Sequence, residues 1–552
     1  NGTGSVVAPQ VGTNKTLTLG TLTIADGTNG GLASNYTLTS GTFDVTARPI
    51  SLSGSRAYDG STTVSNSNLS TFTNIVSGEA LAITGSGTIV DKNVGSSKAV
   101  TLGTLALADN TASASNYSLN SATLDVTQRP LNIAATKAYD GNTTISASSV
   151  SLSNLVGGET LNKSGAITTN STNVGSFGTS NITVGSLSLA NGTGTASNYT
   201  LSGGIHSATI TQKTVGLSGS KVYDATSAAN SSDLTLTGLV GSETLTLSGS
   251  GTIATSAVGT GKTITLGSLA ISNNGGLASN YNLSGLATMD VTARPVTASG
   301  TRVYDGSTTV SGSDMNTFTN LVGSETLAAS GSGSVTSANV GSGKSVTLGT
   351  LALANGTGSA SNYSLSSASF EISQRPLTLT GSKVYDGATS IQGSDIATFT
   401  NIVGSETLAV TGSGSVSSAN VGTGKSVTLG SLALANNTGL SSNYSISSVS
   451  ASITQRPINL SGSRTYDATR TANGSDFSLA NLVTGETLNM SGSGILGSPA
   501  AGTQTVVNTN TLALVDGSGS ASNYSLVGGT LTMTILPRST SVTGSKSYDG
   551  TQ

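Results

Sequence analysis

The residues of this chain that could do chemistry are few, and most recur at a fixed interval. The 552 residues include one histidine, His206, no cysteine, 25 Asp plus Glu and 22 Lys plus Arg. Thirteen of the acids form two series. Seven aspartates directly follow Tyr58, Tyr139, Tyr223, Tyr304, Tyr385, Tyr466 and Tyr548, and six glutamates stand in Gly-x-Glu or Gly-Glu at Glu79, Glu159, Glu243, Glu325, Glu406 and Glu486. Acid–base or nucleophilic catalysis needs unlike groups converging on one spot, and six of the seven units have no histidine to offer. Nor does any local run of acids match a calcium loop, which leaves only carboxylates meeting across loops as a route to that ion. Gly-x-Gly-Lys ends at Lys262, Lys344 and Lys425, but without the strand–loop–helix setting of a phosphate-binding loop. The chain therefore has no catalytic, cofactor-binding or metal residue to assign, its ligand-binding residues are unknown, and it is expected not to be an enzyme. His206 is expected on a solvated loop or strand end.

The tyrosines fix the organisation. All 14 belong to two alternating sets: the seven Tyr-Asp tyrosines, spaced by 81, 84, 81, 81, 81 and 82 residues, and seven Ser-Asn-Tyr tyrosines (Tyr36, Tyr117, Tyr199, Tyr281, Tyr363, Tyr444 and Tyr524), spaced by 81, 82, 82, 82, 81 and 80. Self-similarity at a fixed period marks a tandem array. Its divisions are expected at a partial repeat over 1–48, repeats over 49–129, 130–213, 214–294, 295–375, 376–456 and 457–537, and the start of a further repeat over 538–552. The chain thus reads as a slice of a longer protein.

Composition narrows the class. Hydrophobic residues make up 35%, charged residues only 9%, and Gly numbers 72. Disordered chains are poor in aliphatics and rich in charge, so this one is expected to fold. A net charge of −3 with no basic run argues against nucleic acid as a partner. No run of 18 apolar residues occurs, which argues against direct membrane insertion. Absence of Cys excludes disulfides and thiolate zinc sites, and fits export of an unfolded chain.

Within one repeat, 295–375, short runs alternate apolar and hydroxyl residues between Gly, Ser and Asn clusters, and alternation with period two places one strand face in a core. Six or seven such strands in about 81 residues predict an all-β fold: a tandem array of small Ig-like antiparallel β-sandwich domains forming an elongated rod, with a β-solenoid as the alternative. At about 3.3 Å per strand residue a unit would extend roughly 30–40 Å. The apolar phase slips at Gly20, Gly103, Gly267, Gly349 and Gly430, where a bulge or sharp bend is expected.

Each Tyr-Asp has a cation two residues earlier (Arg56, Lys137, Lys221, Arg302, Lys383, Arg464 and Lys546), placed to lie along the tyrosine ring. Because Ala225 and Ala468 replace the following Gly, the residue after Asp is expected in ordinary α-region backbone. The Asp is expected to cap the turn through the backbone two residues on, with Thr62, Thr143, Thr226, Thr308, Thr389, Thr469 or Thr551 nearby. Ser-Asn before the second tyrosine is expected to form a turn with a local Asn bond. Six copies also spell an N-glycosylation sequon, whereas Asn280-Tyr281-Asn282 does not, and turn chemistry is the better account. Units join through Arg48-Pro49, Arg129-Pro130, Arg294-Pro295, Arg375-Pro376 and Arg456-Pro457; Lys213-Thr214 and Pro537-Arg538 depart from this. Pro fixes extended backbone, so bending at the joins is expected to be limited. Threonine rows such as Thr16, Thr18, Thr21 and Thr23 could face ice or glycan, but period-two Thr is ordinary on an exposed strand.

Gly-Ser-Lys-Val-Tyr-Asp-Gly at 381–387, recurring after Arg-Pro and before Ser-Asn-Tyr, resembles the bacterial YDG repeat, which with the related MBG type occurs in large secreted adhesins of the filamentous-haemagglutinin, two-partner-secretion kind. The resemblance covers essentially the whole chain; Ala135-Thr136 in place of Gly-Ser departs from it. It implies an extracellular or bacterial cell-surface location and a role as adhesin stalk, a spacer in cell adhesion and biofilm. The alternative is a self-assembling filament or matrix fibre. Expected partners are further copies of the chain, and host or matrix glycans through regions outside it; no cofactor is expected.

Overall fold

The computed structural model describes residues 1–548 and 550–552. They fall into two compact units, one of Asn1–Lys221, Ser227–Ala254 and Gly261–Asp290, the other of Val222–Thr226, Thr255–Thr260 and Val291–Gln552. The chain is all-β: among the described residues the only helical elements are three-residue 3-10 turns.

The repeat around 295–375 shows how the alternating pattern is used. Its strands are β1 (Arg294–Val303), β2 (Thr309–Ser311), β3 (Met315–Thr319), β4 (Leu327–Ser330), β5 (Ser332–Val335), β6 (Gly341–Thr347), β7 (Ala352–Asn355) and β8 (Tyr363–Ser373). Six form one sheet in the order β2-β5-β6-β8-β1-β3, and β4 pairs with β7. The sheet curls because β6 serves two partners: Gly341, Lys344 and Ser345 pair with β8, whereas Val346 and Thr347 pair with β5. Inward positions of alternating strands fill the curl: Val296, Ala298, Val310, Met315, Val335, Phe370 and Ile372 are all buried. The same strand order recurs around 49–129, 214–294 and 457–537.

The sheet is mixed, not purely antiparallel as the short alternating strands suggested. β1 and β8, the first and last strands of the repeat, lie side by side and run parallel from Arg294↔Tyr363 to Val303↔Ser373. Alternation reports which face of a strand is buried, not the direction of its neighbour. Parallel terminal strands bring the chain in at one end of the repeat and out at the other. Short turns close the rest. At Gly103, Gly267, Gly349 and Gly430 the backbone is left-handed, with φ of 55–57°. There the chain leaves one strand and bends sharply into the next, as Leu351 N–H donates to the Leu348 carbonyl. The phase slip in the sequence marks this corner.

A candidate functional site at the joins between repeats

The parallel register carries each Tyr-Asp to the boundary of its own repeat. Tyr58, just past its strand, donates its N–H to Thr127 in the last strand of the same repeat (2.8 Å). The next repeat starts two residues later, at Arg129, which pairs with Tyr199. Tyr58 and Tyr199, 141 positions apart, therefore meet: their rings stand edge to face, 5.4 Å between centroids. Tyr139–Tyr281, Tyr223–Tyr363, Tyr304–Tyr444 and Tyr385–Tyr524 repeat the arrangement at the same separation. All ten rings are buried, 0–5% exposed. Tyr36, Tyr466 and Tyr548, without such a partner, are 68%, 39% and 99% exposed.

Buried phenols need acceptors, and here each pair shares one. Tyr58 and Tyr199 donate to the two oxygens of Glu159, at 2.7 and 2.6 Å. Glu243 takes Tyr139 and Tyr281, Glu325 takes Tyr223 and Tyr363, Glu406 takes Tyr304 and Tyr444, and Glu486 takes Tyr385 and Tyr524, all at 2.5–2.8 Å. Tyr117 donates to Glu79 without a Tyr-Asp partner. The second tyrosine also accepts the N–H of a valine three residues before the glutamate, Val403 to Tyr444 at 3.1 Å, for example. Burial, reinforced by the carboxylate, pushes the Tyr139, Tyr199, Tyr223, Tyr385 and Tyr444 hydroxyls up to about 12. Burial works against the charge on Glu159, but Tyr199, Tyr58 and Lys92 donate to it and hold it below the usual carboxylate value.

Two further contacts recur at most of the joins. The asparagine of Ser-Asn-Tyr reaches back into the preceding repeat: Asn198 accepts the N–H of Val94 and donates to Asn93, both at 2.9 Å. Asn280, Asn443 and Asn523 do the same at Asn173-Val174, Asn339-Val340 and Asn420-Val421. The expected local bond is thus replaced. The 3-10 turn before the tyrosine is instead held by a residue five positions ahead of its first N–H, such as Asn355, which accepts from Ala360 at 2.8 Å. Asn198, Asn443 and Asn523 are buried, so the sequons they begin are inaccessible in the fold. The arginine of Arg-Pro forks onto an asparagine: Arg375 donates to the Asn401 carbonyl (2.7 Å) and side chain (2.6 Å), and to the Tyr304 carbonyl (3.2 Å). Asn401 returns a bond to the Pro376 carbonyl. It sits at φ 77°, a left-handed position that asparagine tolerates.

The Tyr-Asp turn is built partly as expected. Asp305 accepts the N–H of Ser307, two residues on, at 2.9 Å, and Asp59, Asp140, Asp224, Asp386 and Asp467 act alike. The seventh, Asp549, lies outside the described residues. Two expectations are corrected. The residue after Asp is left-handed in all six, including Ala225 (φ 63°) and Ala468 (φ 73°). The turn imposes this conformation on alanine at a cost of roughly 1–2 kcal/mol. The cation does not lie along the tyrosine ring. Lys383 turns to Asp386 (2.6 Å) and to the carbonyls of Ala388 and Ser390 (both 2.8 Å), so it staples the turn from inside. Arg302 does likewise with Asp305, Ser307 and Thr309, and its guanidinium stacks over Phe370, not Tyr304. The glycine after Asp also permits a close approach. A Cβ on Gly387 would lie 2.8 Å from Val483 of the following repeat.

His206 stands at a strand end, one of the two places expected, but it is buried there and not solvated, its Nε2 2.9 Å from the Leu201 carbonyl. Lys344 and Lys425 fold back onto the carbonyls of Ser337 and Ser418. No group of three or more metal-ligating side chains occurs among the described residues, and no helix there is long and apolar enough to cross a membrane.

Compared with protein families, the chain matches one domain six times, the YDG domain, over residues 45–124, 127–209, 205–290, 288–370, 373–454 and 450–535. The chain belongs to the YDG domain family. The motif that names the family is thus the motif that closes each join. No curated protein matches the chain. The glutamate, the Asn-Val pair and the asparagine facing Arg-Pro went unassigned in the sequence. Each left a signal in the repeats themselves. In the repeat where Lys213 replaces arginine, Gly238 replaces the asparagine, so both halves of one contact change together.

Proposed function

We propose that this array of YDG repeats is an extracellular spacer, the repetitive stalk of a secreted bacterial adhesin in cell adhesion and biofilm, with no catalysis of its own. The observation that supports this reading is the five-fold recurrence of one buried join. Tyr-Glu-Tyr, Asn-to-Asn and Arg-Asn contacts are spent on fixing one repeat against the next, and little of the periodic polar chemistry is left to face a ligand. Such a design sets distance, and recognition of host or matrix glycans falls to regions outside these residues. Solution scattering of the full chain tests it. A compact chain of this length has a radius of gyration of about 24 Å. Repeats adding roughly 30–40 Å each give a value on the order of 60 Å. A radius near the compact value refutes the spacer.

The low charge, 9% of residues and −3 net, supports a second reading, a self-assembling filament or matrix fibre, because few like charges oppose lateral packing. Concentration-dependent sedimentation favours the fibre; a monomer at high concentration favours the stalk.

A further inference from the structure

The pairing of terminal strands has a mechanical consequence that goes beyond a spacer's length. In the repeat around 295–375, ten residues of β1 pair in parallel with β8, and Tyr304 N–H to the Ser373 carbonyl adds one more bond. The chain enters this ladder at Arg294 and leaves it at Ser373. Tension on the chain ends draws β1 toward its amino end and β8 toward its carboxyl end. The two strands are pulled along their own axes in opposite directions, so the ladder's hydrogen bonds are loaded together in shear and not opened one at a time. Only Gln374 separates this ladder from the next, which starts at Arg375↔Tyr444.

We propose that this parallel ladder is a mechanical clamp, that the repeats bear tension along the chain, and that they fail in a set order. The ladder spans ten pairs around 49–129, 295–375 and 376–456, with one single-residue bulge after the third pair and seven uninterrupted pairs beyond it. Around 130–213 it is broken: two pairs join Arg129–Pro130 to Tyr199–Thr200, the chain detours through Gly203-Gly204, and six pairs resume from Ile133↔His206 to Ala138↔Thr211. Around 457–537 the break is larger. Two pairs at Arg456–Pro457 are followed by Gly528-Gly529, a lone Leu460↔Leu531 bridge and three pairs ending at Thr465↔Leu536. The uninterrupted runs are thus seven pairs in the first three repeats, six around 130–213 and three around 457–537; a shorter run shares the load among fewer bonds, so of these five the repeat around 457–537 yields first and the one around 130–213 next.

Single-molecule pulling on the full chain tests this. A Gly/Ser loop of 20 residues, inserted at Gly485 or at Gly323, marks one repeat by lengthening its unfolding step by about 70 Å. Both glycines lie in turns outside the strands, and a Cβ at either meets nothing within 4 Å, so both turns have room for the insertion. The Gly485-marked step is expected among the earliest events and the Gly323-marked step among the late ones. A second arm exploits the absence of cysteine. With Val303→Cys and Ser373→Cys as handles, both at one end of the ladder, the same repeat is peeled and is expected to open at half the shear force or less, forced opening being governed by the unfolding rate. Equal forces in the two directions, or a Gly323-marked step no later than the Gly485-marked one, overturn the clamp. A compact radius in solution would refute the spacer and leave this result standing, so the two failures are distinguishable.

Discussion

Removal of the shared carboxylate at one join tests whether the Tyr-Glu-Tyr clasp holds successive repeats together. Glu406 accepts from Tyr304 at 2.6 Å and from Tyr444 at 2.7 Å, and both rings are buried. Glu406→Ala leaves two buried hydroxyls without their acceptor. At about 1–3 kcal/mol for each orphaned group, the expected cost is about 2–6 kcal/mol. Glu406→Gln retains an acceptor oxygen but loses the charge, and costs about 1 kcal/mol. Tyr304→Phe removes one donor and leaves Glu406 bonded to Tyr444, for about 1–1.5 kcal/mol. Tyr444→Phe costs more, about 2–3 kcal/mol, because it also strands the Val403 N–H. The order Glu406→Ala, Tyr444→Phe, then the other two is the signature. A six-repeat chain need not unfold in one step, so the assay is amide hydrogen exchange, read locally. Tyr304 lies one repeat before Val403. Tyr304→Phe must therefore raise exchange at Val403, and Glu406→Ala must raise it at Tyr304, whose N–H is bonded to Ser373. A double-mutant cycle between Tyr304→Phe and Glu406→Gln should show coupling of about 0.5 kcal/mol or more. Loosening confined to the repeat that carries the substitution, or a loss below about 0.5 kcal/mol for Glu406→Ala, would refute the clasp.

Three more outcomes follow from the joins. Ala468→Gly relieves a left-handed alanine and should stabilise its repeat by about 0.5–1 kcal/mol, whereas Gly387→Ala, with its Cβ 2.8 Å from Val483, should destabilise; local hydrogen exchange separates them. Lys213→Arg alone should gain little because Gly238 offers no side chain, but Lys213→Arg with Gly238→Asn rebuilds the fork and should gain about 1–2 kcal/mol, read as the non-additive part of thermal shifts. Alkali should open the joins. The native state binds the tyrosine protons more tightly than the unfolded chain, so their contribution is complete below about pH 10 and is lost as pH rises toward the folded value of about 12. Glu159 is shifted down, so its contribution is present above its unfolded value and lost as pH falls below it. Melting temperature against pH, with phenolate absorbance, checks both limbs; phenolate formation while the repeats remain folded would contradict the alkaline one.

The period, the strand-rich class and the turn-capping aspartates were legible because each depends on residues adjacent in sequence. Alternation reports burial, Gly and Asn report turns, and an Asp two residues before an N–H reports its own cap. What was missed depends on register. Lys383 and Tyr385 were expected to share a strand face, but the strand stops at Val384 and the lysine turns inward to the loop. Ala225 and Ala468 argued for ordinary backbone, and lost to a turn fixed by Asp, cation and neighbouring carbonyls together. Asn198 offers the same amide to a local turn or to the previous repeat; its sequence neighbours cannot decide, because Asn93 and Val94 lie more than 100 positions away.

The joins also explain why two motifs that look internal to the repeat act at its edges. If the terminal strands of a repeat were antiparallel, its first strand would end where its last began, far from the next repeat. Because they run parallel and in register, the residue after the first strand reaches the same end as the last residue of the last strand. Tyr304 sits beside Ser373, two residues before Arg375. The same register in the next repeat sets Tyr444 against Arg375. One pairing rule, applied twice, delivers two tyrosines to one boundary. The glutamate that receives them stands three residues past the valine whose N–H the second tyrosine accepts, so its position too follows from the fold. A substitution that shifted the β1–β8 register by one residue would turn Tyr304 away from Glu406, and the join would be lost while each core kept its alternating face.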